Sequence, residues 1–256
     1  MTYTAFDLTG KVALVTGGNS GIGLGMAEAM AASGADISIW GTNARKNADA
    51  AARLAAYGRR VHTAVCDVGD EAAVQAAFAE TVATLGRVDG CFANAGIGAR
   101  GGRFETLGTE DWHRVLRVNL DGAFFTLRAA ARHMLEQGDG GVLVGTASVA
   151  AIEGAARNQH YAATKGGLIS MMRALAVEYA RHGIRAHSIL PGWIATDMTA
   201  RGQADPAFQE MVSKRVPMRR WGEPADFGGI AIYLMSAASR YHTGDTLVID
   251  GGYTLF

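Results

Sequence analysis

Tyr161 and Lys165 stand four residues apart in the run Tyr161-Ala162-Ala163-Thr164-Lys165. On a helix that spacing puts both side chains on one face. An unperturbed tyrosine has a pKa near ~10, too high to exchange its proton readily at neutral pH. An ammonium held beside the ring favours phenolate and lowers that value. The pair therefore has the parts of a general acid–base. Ser148 precedes Tyr161 by 13 residues and supplies a hydroxyl that can hold a substrate oxygen. Taken alone, a Tyr-x-x-x-Lys pair equally describes an amphipathic surface helix. The weight falls on what the rest of the chain does to position it.

Strand-like and helix-like runs alternate from the start. Short apolar runs at 12–15, 36–40, 60–65, 90–93, 141–146, 184–190 and 246–249 read as strands. Helical patterns fall at 21–32, 45–57, 71–85, 111–136 (lightly broken at Gly122), 161–182 and from 224 to about 236. This alternation implies parallel βαβ units, with helices on both faces of a doubly wound sheet. No linker-like break divides the chain, so one α/β domain of seven mostly parallel strands is expected. Residues 193–221 break the alternation and carry charges, a proline, methionines and tryptophans. A long connection in a compact domain is usually functional or mobile, and this one reads as a substrate lid, with a solvated surface excursion as the other reading.

The first strand runs into Thr16-Gly17-Gly18-Asn19-Ser20-Gly21-Ile22-Gly23 and then into a helix. Such a turn lets a pyrophosphate sit against backbone N–H groups at a helix N-terminus, with no side chain in the way. The spacing departs from the usual dinucleotide fingerprint, with glycines at 17, 21 and 23. That form resembles the short-chain dehydrogenase/reductase family, and further motifs follow in order. Asn94-Ala95-Gly96 follows the fourth strand, Asn119 lies in the long helix, and Ser148, Tyr161 and Lys165 come next. Pro191-Gly192 follows the sixth strand, with Thr196 shortly after. The match spans nearly the whole chain.

The resemblance implies a single Rossmann-type domain and an NAD(P)-dependent oxidoreductase acting between CH–OH and C=O groups. It implies Tyr161 as acid/base, Ser148 on the substrate oxygen, and Lys165 on the nicotinamide ribose. Asn119 would carry a water linking Lys165 to solvent. Gly17, Asn19, Ser20, Gly21, Ile22 and Gly23 would line the pyrophosphate end. Asp67 would accept from the adenine amino group, Val68 would touch the adenine ring, and Asn94, Ala95 and Gly96 would pass the adenosine ribose. Pro191, Gly192, the Ile194 backbone and Thr196 would border and hold the nicotinamide carboxamide. For Asp67, a helix-capping role ahead of Glu71 is the other reading.

Cofactor choice turns on the end of the second strand, where a carboxylate would grip the ribose 2′-hydroxyl and repel a 2′-phosphate. Asp36 sits at the wrong end of its strand. The right end holds Gly41-Thr42-Asn43-Ala44-Arg45-Lys46, with no carboxylate. Thr42, Asn43 and Ser20 can donate hydrogen bonds, and Arg45 is a candidate phosphate contact. NADP is favoured over NAD, although Thr42 and Ser20 stand where NADP-using relatives often carry basic residues.

The bulk numbers narrow the rest. Across 256 residues, 24 Lys plus Arg balance 24 Asp plus Glu, and 49% of the chain is hydrophobic. Zero net charge gives no electrostatic case for nucleic acid or an anionic membrane surface. The N-terminal residues 1–7 lack a signal-peptide pattern, no apolar run has membrane-spanning length, and a cytoplasmic protein is expected. Cys66 and Cys91 read as buried thiols, and the histidines show no metal-ligand spacing. Apolar residues on several faces of helices 111–136 and 161–182 point to buried contacts beyond one chain, and the family commonly forms a homotetramer through them. The expected partner is a small alcohol or ketone. An acidic run, Glu136-Gln137-Gly138-Asp139, argues against a carrier-protein partner. An isomerase or dehydratase on the same fold, and a nucleotide sensor without turnover, stay open.

Overall fold

The computed structural model describes residues 4–99 and 101–255. Residues 1–3 of the N-terminal segment 1–7 lie outside them. Seven strands form one sheet: β1 (Val12–Thr16), β2 (Asp36–Gly41), β3 (Val61–Val65), β4 (Gly90–Ala93), β5 (Gly141–Thr146), β6 (Ile184–Pro191) and β7 (Thr246–Ile249). Their order is β3-β2-β1-β4-β5-β6-β7, and every pairing is parallel. The helices are α1 (Gly21–Ala32), α2 (Ala44–Ala55), α3 (Glu71–Leu85), α4 (Thr109–Leu116), α5 (Gly122–Gln137), α6 (Gln159–Tyr179), α7 (Ala200–Gln203), α8 (Pro206–Arg215) and α9 (Gly228–Met235).

Strand side chains alternate between two cores. On one face Ile37 and Ile39 meet Met26, Met30 and Phe227; on the other Trp40, Leu143, Phe78, Leu168 and Met172 pack together. A strand buried on both faces reads as a continuous apolar run, and β1 is buried at all five positions. Because all strands are parallel, their carboxyl ends share one edge. The order reverses between β1 and β4, and ligands of open α/β sheets bind at that switch point.

Asp36 confirms the polarity of β2. It lies at the opposite edge, taking Arg60 Nε at 2.8 Å and the Arg60 N–H at 2.9 Å. No helix among the described residues is long and apolar enough to cross a membrane.

The segment read as one long helix is two. A π-helical turn, Arg117–Asp121, joins α4 to α5. The interruption precedes Gly122 rather than falling on it. A Cβ at Gly122 would sit 2.7 Å from Val68 Cγ2, so that glycine serves close packing. Wide π turns often mark functional positions, and this one carries Asn119.

Candidate active site

A cleft of about 1370 Å³ opens along the carboxyl edge of β1, β4, β5 and β6. Its floor at one end is the β1–α1 turn. Gly17 has φ +63, and a Cβ there would lie 3.0 Å from Ala95 Cα; one at Gly23 would lie 2.4 Å from the Gly17 carbonyl oxygen. Side chains at either place would fill the cradle, so the turn fits a group that must approach backbone closely. Ser20 precedes α1 in extended backbone, and its hydroxyl makes no capping bond.

Asn94, Ala95 and Gly96 are stitched to this turn. The N–H groups of Asn94 and Ala95 each donate to Thr16 Oγ1 at 3.0 Å, and Asn94 Nδ2 donates to the Thr16 carbonyl at 3.0 Å. The Asn94 side chain thus braces the turn, and Asn94, Ala95 and Gly96 all line the cleft. A Cβ on Gly96 would stand 3.3 Å from Asn119 Oδ1 and 3.6 Å from Lys165 Nζ. That glycine brings the adenosine and chemical ends together.

Asn119 is buried, and its amide clamps the next residue of the loop. Oδ1 accepts the Ile97 N–H at 2.8 Å, and Nδ2 donates to the Ile97 carbonyl at 3.0 Å. Its side chain is therefore committed to positioning the loop after β4.

Ser148 ends the β5 loop, where its Oγ accepts the Ala150 N–H at 3.1 Å. It faces the Tyr161 phenol. Burial pushes that phenol above the ordinary tyrosine value, and the hydrogen bond with Ser148 pulls it partly back. Lys165 lies one turn along α6 with Nζ 5.5 Å from the Tyr161 ring centroid. It donates to the Thr146 carbonyl at 2.7 Å. Burial lowers its pKa from 10.5 to about 8. Three groups from two elements thus converge beside Gly96. His160, next to Tyr161 in sequence, is 1% exposed, and burial lowers its pKa.

At the other side Trp193, Ile194 and Thr196 leave β6. Gly222 takes the Trp193 carbonyl at 2.9 Å and the Ala195 N–H at 2.8 Å, so the intervening Ile194 N–H faces away from this ladder. A Cβ on Gly21 would lie 3.1 Å from Thr196 Cγ2, so Thr196 packs directly against the glycine turn. Gly192 passes so close to Asp250 that a Cβ would reach it at 2.7 Å. Pro191 and Gly192 line the cleft beside them.

The adenosine end differs in detail from the sequence reading. Asp67 is not the cap of α3. Asp70 takes that role, accepting the Ala72 and Ala73 N–H groups at 2.9 and 3.3 Å. Asp67 lines the cleft with Oδ1 on the Gly69 N–H at 2.9 Å and Oδ2 on Arg117 Nη1 at 3.0 Å. Thr42 and Asn43 line it too, and Asn43 Oδ1 caps α2 by accepting the Lys46 N–H. Asn19 Nδ2 donates to Asn47 Oδ1 at 2.7 Å. The basic residue lining this rim is Lys46; Arg45 is exposed and does not line it.

Residues 193–221 fold into the turn Asp197–Thr199, α7 and α8. Trp193 packs edge-on against Phe208 at 5.0 Å and Trp221 at 5.9 Å, and 6.5 Å from Tyr253. Trp193, Met198 and Phe208 line the cleft, whereas Met211 does not. From the β5 side come Ala150, Glu153 and Asn158. Lys46, Arg114, Arg117 and Phe208 were not nominated from the sequence. Each is a common residue on a helix, and only the tertiary fold turns it inward.

The family model described as enoyl-(acyl carrier protein) reductase matches residues 17–254. The chain belongs to the short-chain dehydrogenase/reductase family. It is an NAD(P)-dependent oxidoreductase acting between CH–OH and C=O groups of small molecules. It is 36% identical over 253 residues to 2-dehydro-3-deoxy-D-gluconate 5-dehydrogenase of Escherichia coli K12, covering 99% of both chains. It is 37% identical over 246 residues to L-rhamnose 1-dehydrogenase (NAD(P)(+)) of a Sphingomonas strain, covering 96% of both. Among solved structures, gluconate 5-dehydrogenase from Burkholderia cenocepacia in complex with NADP and tartrate aligns with a TM-score of 0.93. The identity is 38%, over 99% of this chain and 98% of that one.

Proposed function

We propose that the chain interconverts a secondary alcohol and a ketone on a small polyhydroxylated molecule, a sugar or sugar acid, with NADP(H) preferred. The convergence of Ser148, Tyr161 and Lys165 beside the cleft carries this reading. The sugar-directed names of the relatives support the substrate class. So does the mixed lining, where Glu153, Asn158 and Arg201 offer polar points around the Trp193 and Phe208 rings.

The roles follow from position. The cofactor, when bound, supplies or accepts the hydride. Ser148 holds the substrate oxygen and Tyr161 gives or takes its proton as charge develops there. Lys165 reaches the ribose and biases the phenol. Asn119 fixes the loop that carries Gly96, and its turn is where a water would connect Lys165 to solvent. Gly17, Asn19, Ser20, Gly21, Ile22 and Gly23 cradle the pyrophosphate. Asp67 and Val68 flank the adenine, and Asn94 to Gly96 the adenosine ribose. Pro191, Gly192, Ile194 and Thr196 border the carboxamide. Thr42 and Asn43 stand at the 2′-position, and residues 193–221 close over the substrate as a lid.

A panel of polyols, sugar acids and apolar cyclic ketones, followed by reduced-nicotinamide absorbance with NADPH and NADH, tests this reading. Turnover is expected on polyols or sugar acids. Turnover confined to apolar ketones would refute the substrate class. Tight nucleotide binding without hydride transfer would favour the sensor, and product formation without net redox an isomerase or dehydratase.

A homotetramer and a cytoplasmic location belong to the same reading. Phe124 on α5 and Val177 on α6 are 41% and 84% exposed, while Leu127, Leu168 and Met172 face the chain's own core. Both helices are thus apolar on an inner and an outer side. Light scattering is expected to give four times the chain mass at micromolar concentration; a clean monomer would overturn the assembly. Two free, buried cysteines suit a reducing compartment.

A further inference from the structure

One ion pair joins the two rims of the cofactor cleft. Lys46, on the first turn of α2, donates from Nζ to Asp197 Oδ2 at 2.7 Å. Asp197 begins the turn Asp197–Thr199, which leads into α7. The partners lie 151 residues apart, and both line the cleft. Their side chains are 49% and 76% exposed. An exposed pair of this kind is held weakly and is readily exchanged.

The surroundings single out Lys46. Among the described cleft residues, Lys165 is buried beside Tyr161, Arg117 is paired with Asp67, Arg114 is paired with Asp111, and Arg201 sits on α7 in the 193–221 segment, not beside the end of β2. Lys46 stands beside Gly41, Thr42 and Asn43, where the end of β2 meets the ribose rim. A ribose 2′-phosphate brings charge of about −2 and several strong acceptors to that rim. A bare 2′-hydroxyl brings neither. Phosphate and the Asp197 carboxylate would then compete for one ammonium, and they would repel each other.

We propose that Lys46 is the residue that recognises the 2′-phosphate of NADP(H), and that Asp197 is its built-in competitor. With NADP(H), Lys46 exchanges its carboxylate partner for phosphate. With NAD(H), it stays on Asp197 and ties the first turn of the 193–221 segment to α2. The carboxylate absent from β2 is thus supplied from across the cleft, in a form that a phosphate can displace. The inference rests on the NADP-preferring reading.

The test is equilibrium binding, by nicotinamide fluorescence, of NADPH and NADH to the purified wild type and to Lys46→Met, Asp197→Asn and the double variant. Both positions are exposed, and melting curves check the fold of each variant. Lys46→Met is expected to lower the NADPH-to-NADH affinity ratio by about tenfold, the worth of a charge-assisted bond. Asp197→Asn is expected to raise that ratio, and by less in the Lys46→Met background, because the competition needs the ammonium. A wild type that binds NADPH no tighter than NADH sinks the NADP reading and this inference with it. A wild type that prefers NADPH, with the ratio unmoved by Lys46→Met, overturns the inference alone. A ratio lowered by Asp197→Asn would overturn the competitor role.

Discussion

Tyr161→Phe is expected to lower turnover by about 10³-fold or more while changing nucleotide affinity less than twofold. General acid–base catalysis contributes roughly 10²–10⁴-fold, and the substitution removes the only atom that carries it. The ring remains to fill its place against Lys165 Nζ, so the cleft keeps its shape. Burial holds the phenol protonated at neutral pH, with Ser148 opposing that shift in part. The protonated state is the one carbonyl reduction needs, whereas alcohol oxidation needs phenolate. Oxidation by the wild type should therefore rise with pH through a range where reduction falls. Steady-state rates in both directions, with fluorescence titration of NADPH, decide the matter. A Tyr161→Phe variant within tenfold of wild type would end the assignment of Tyr161 as the proton donor.

The polarity of the cleft was legible in the sequence because local signals agreed. Asp36 precedes the apolar run 37–40, and that order alone puts it at the far edge, where the structure pairs it with Arg60. The Tyr161–Lys165 spacing likewise needed only helical periodicity. What escaped was set by contacts distant in sequence. Arg45 and Lys46 are adjacent basic residues on a new helix, and nothing local says which faces the cleft. The cap at Asn43 fixes the phase of α2, and a carboxylate from the opposite rim holds the answer in place: Asp197 takes Lys46, 151 residues away. Asp67 and Asp70 posed the same problem three residues apart. Both precede a helix, and only the chain path after β3 makes Asp70 the cap and leaves Asp67 to Arg117. The π turn at Asn119 was hidden for another reason. Its extra residue leaves the helical pattern almost intact, so the sequence showed one helix with a weak point at the nearest glycine.

Lys165→Met should yield a protein that is more stable than wild type at neutral pH and close to inactive. The ammonium is 4% exposed, and burial lowers its pKa from the ordinary 10.5 to about 8. The folded state binds this proton less tightly than the unfolded chain. Unfolding therefore takes up a proton between pH 8 and 10.5, and stability rises with pH across that window. Below it, the charge is present in both states and its full burial cost weighs on the fold. A fall from 10.5 to about 8 corresponds to a cost on the order of 3 kcal/mol. Methionine removes the charge but loses the bond to the Thr146 carbonyl, worth about 1 kcal/mol. The net gain is about 2 kcal/mol at pH 7, and it should disappear as pH rises from 8 towards 10.5, because the folded wild type no longer carries the buried charge. The functional loss runs the other way. An ammonium 5.5 Å from the Tyr161 ring favours phenolate, so without it the alkaline limb of alcohol oxidation should move to higher pH. Nucleotide affinity should fall as well, since Lys165 is the proposed ribose contact. Thermal melts at pH 7 and pH 10, beside rates and nucleotide titrations, separate this from a structural role. A lysine retained only for packing would leave a Met variant active. A variant less stable than wild type at pH 7 would show that the buried charge is paired more strongly than its single bond to Thr146 accounts for.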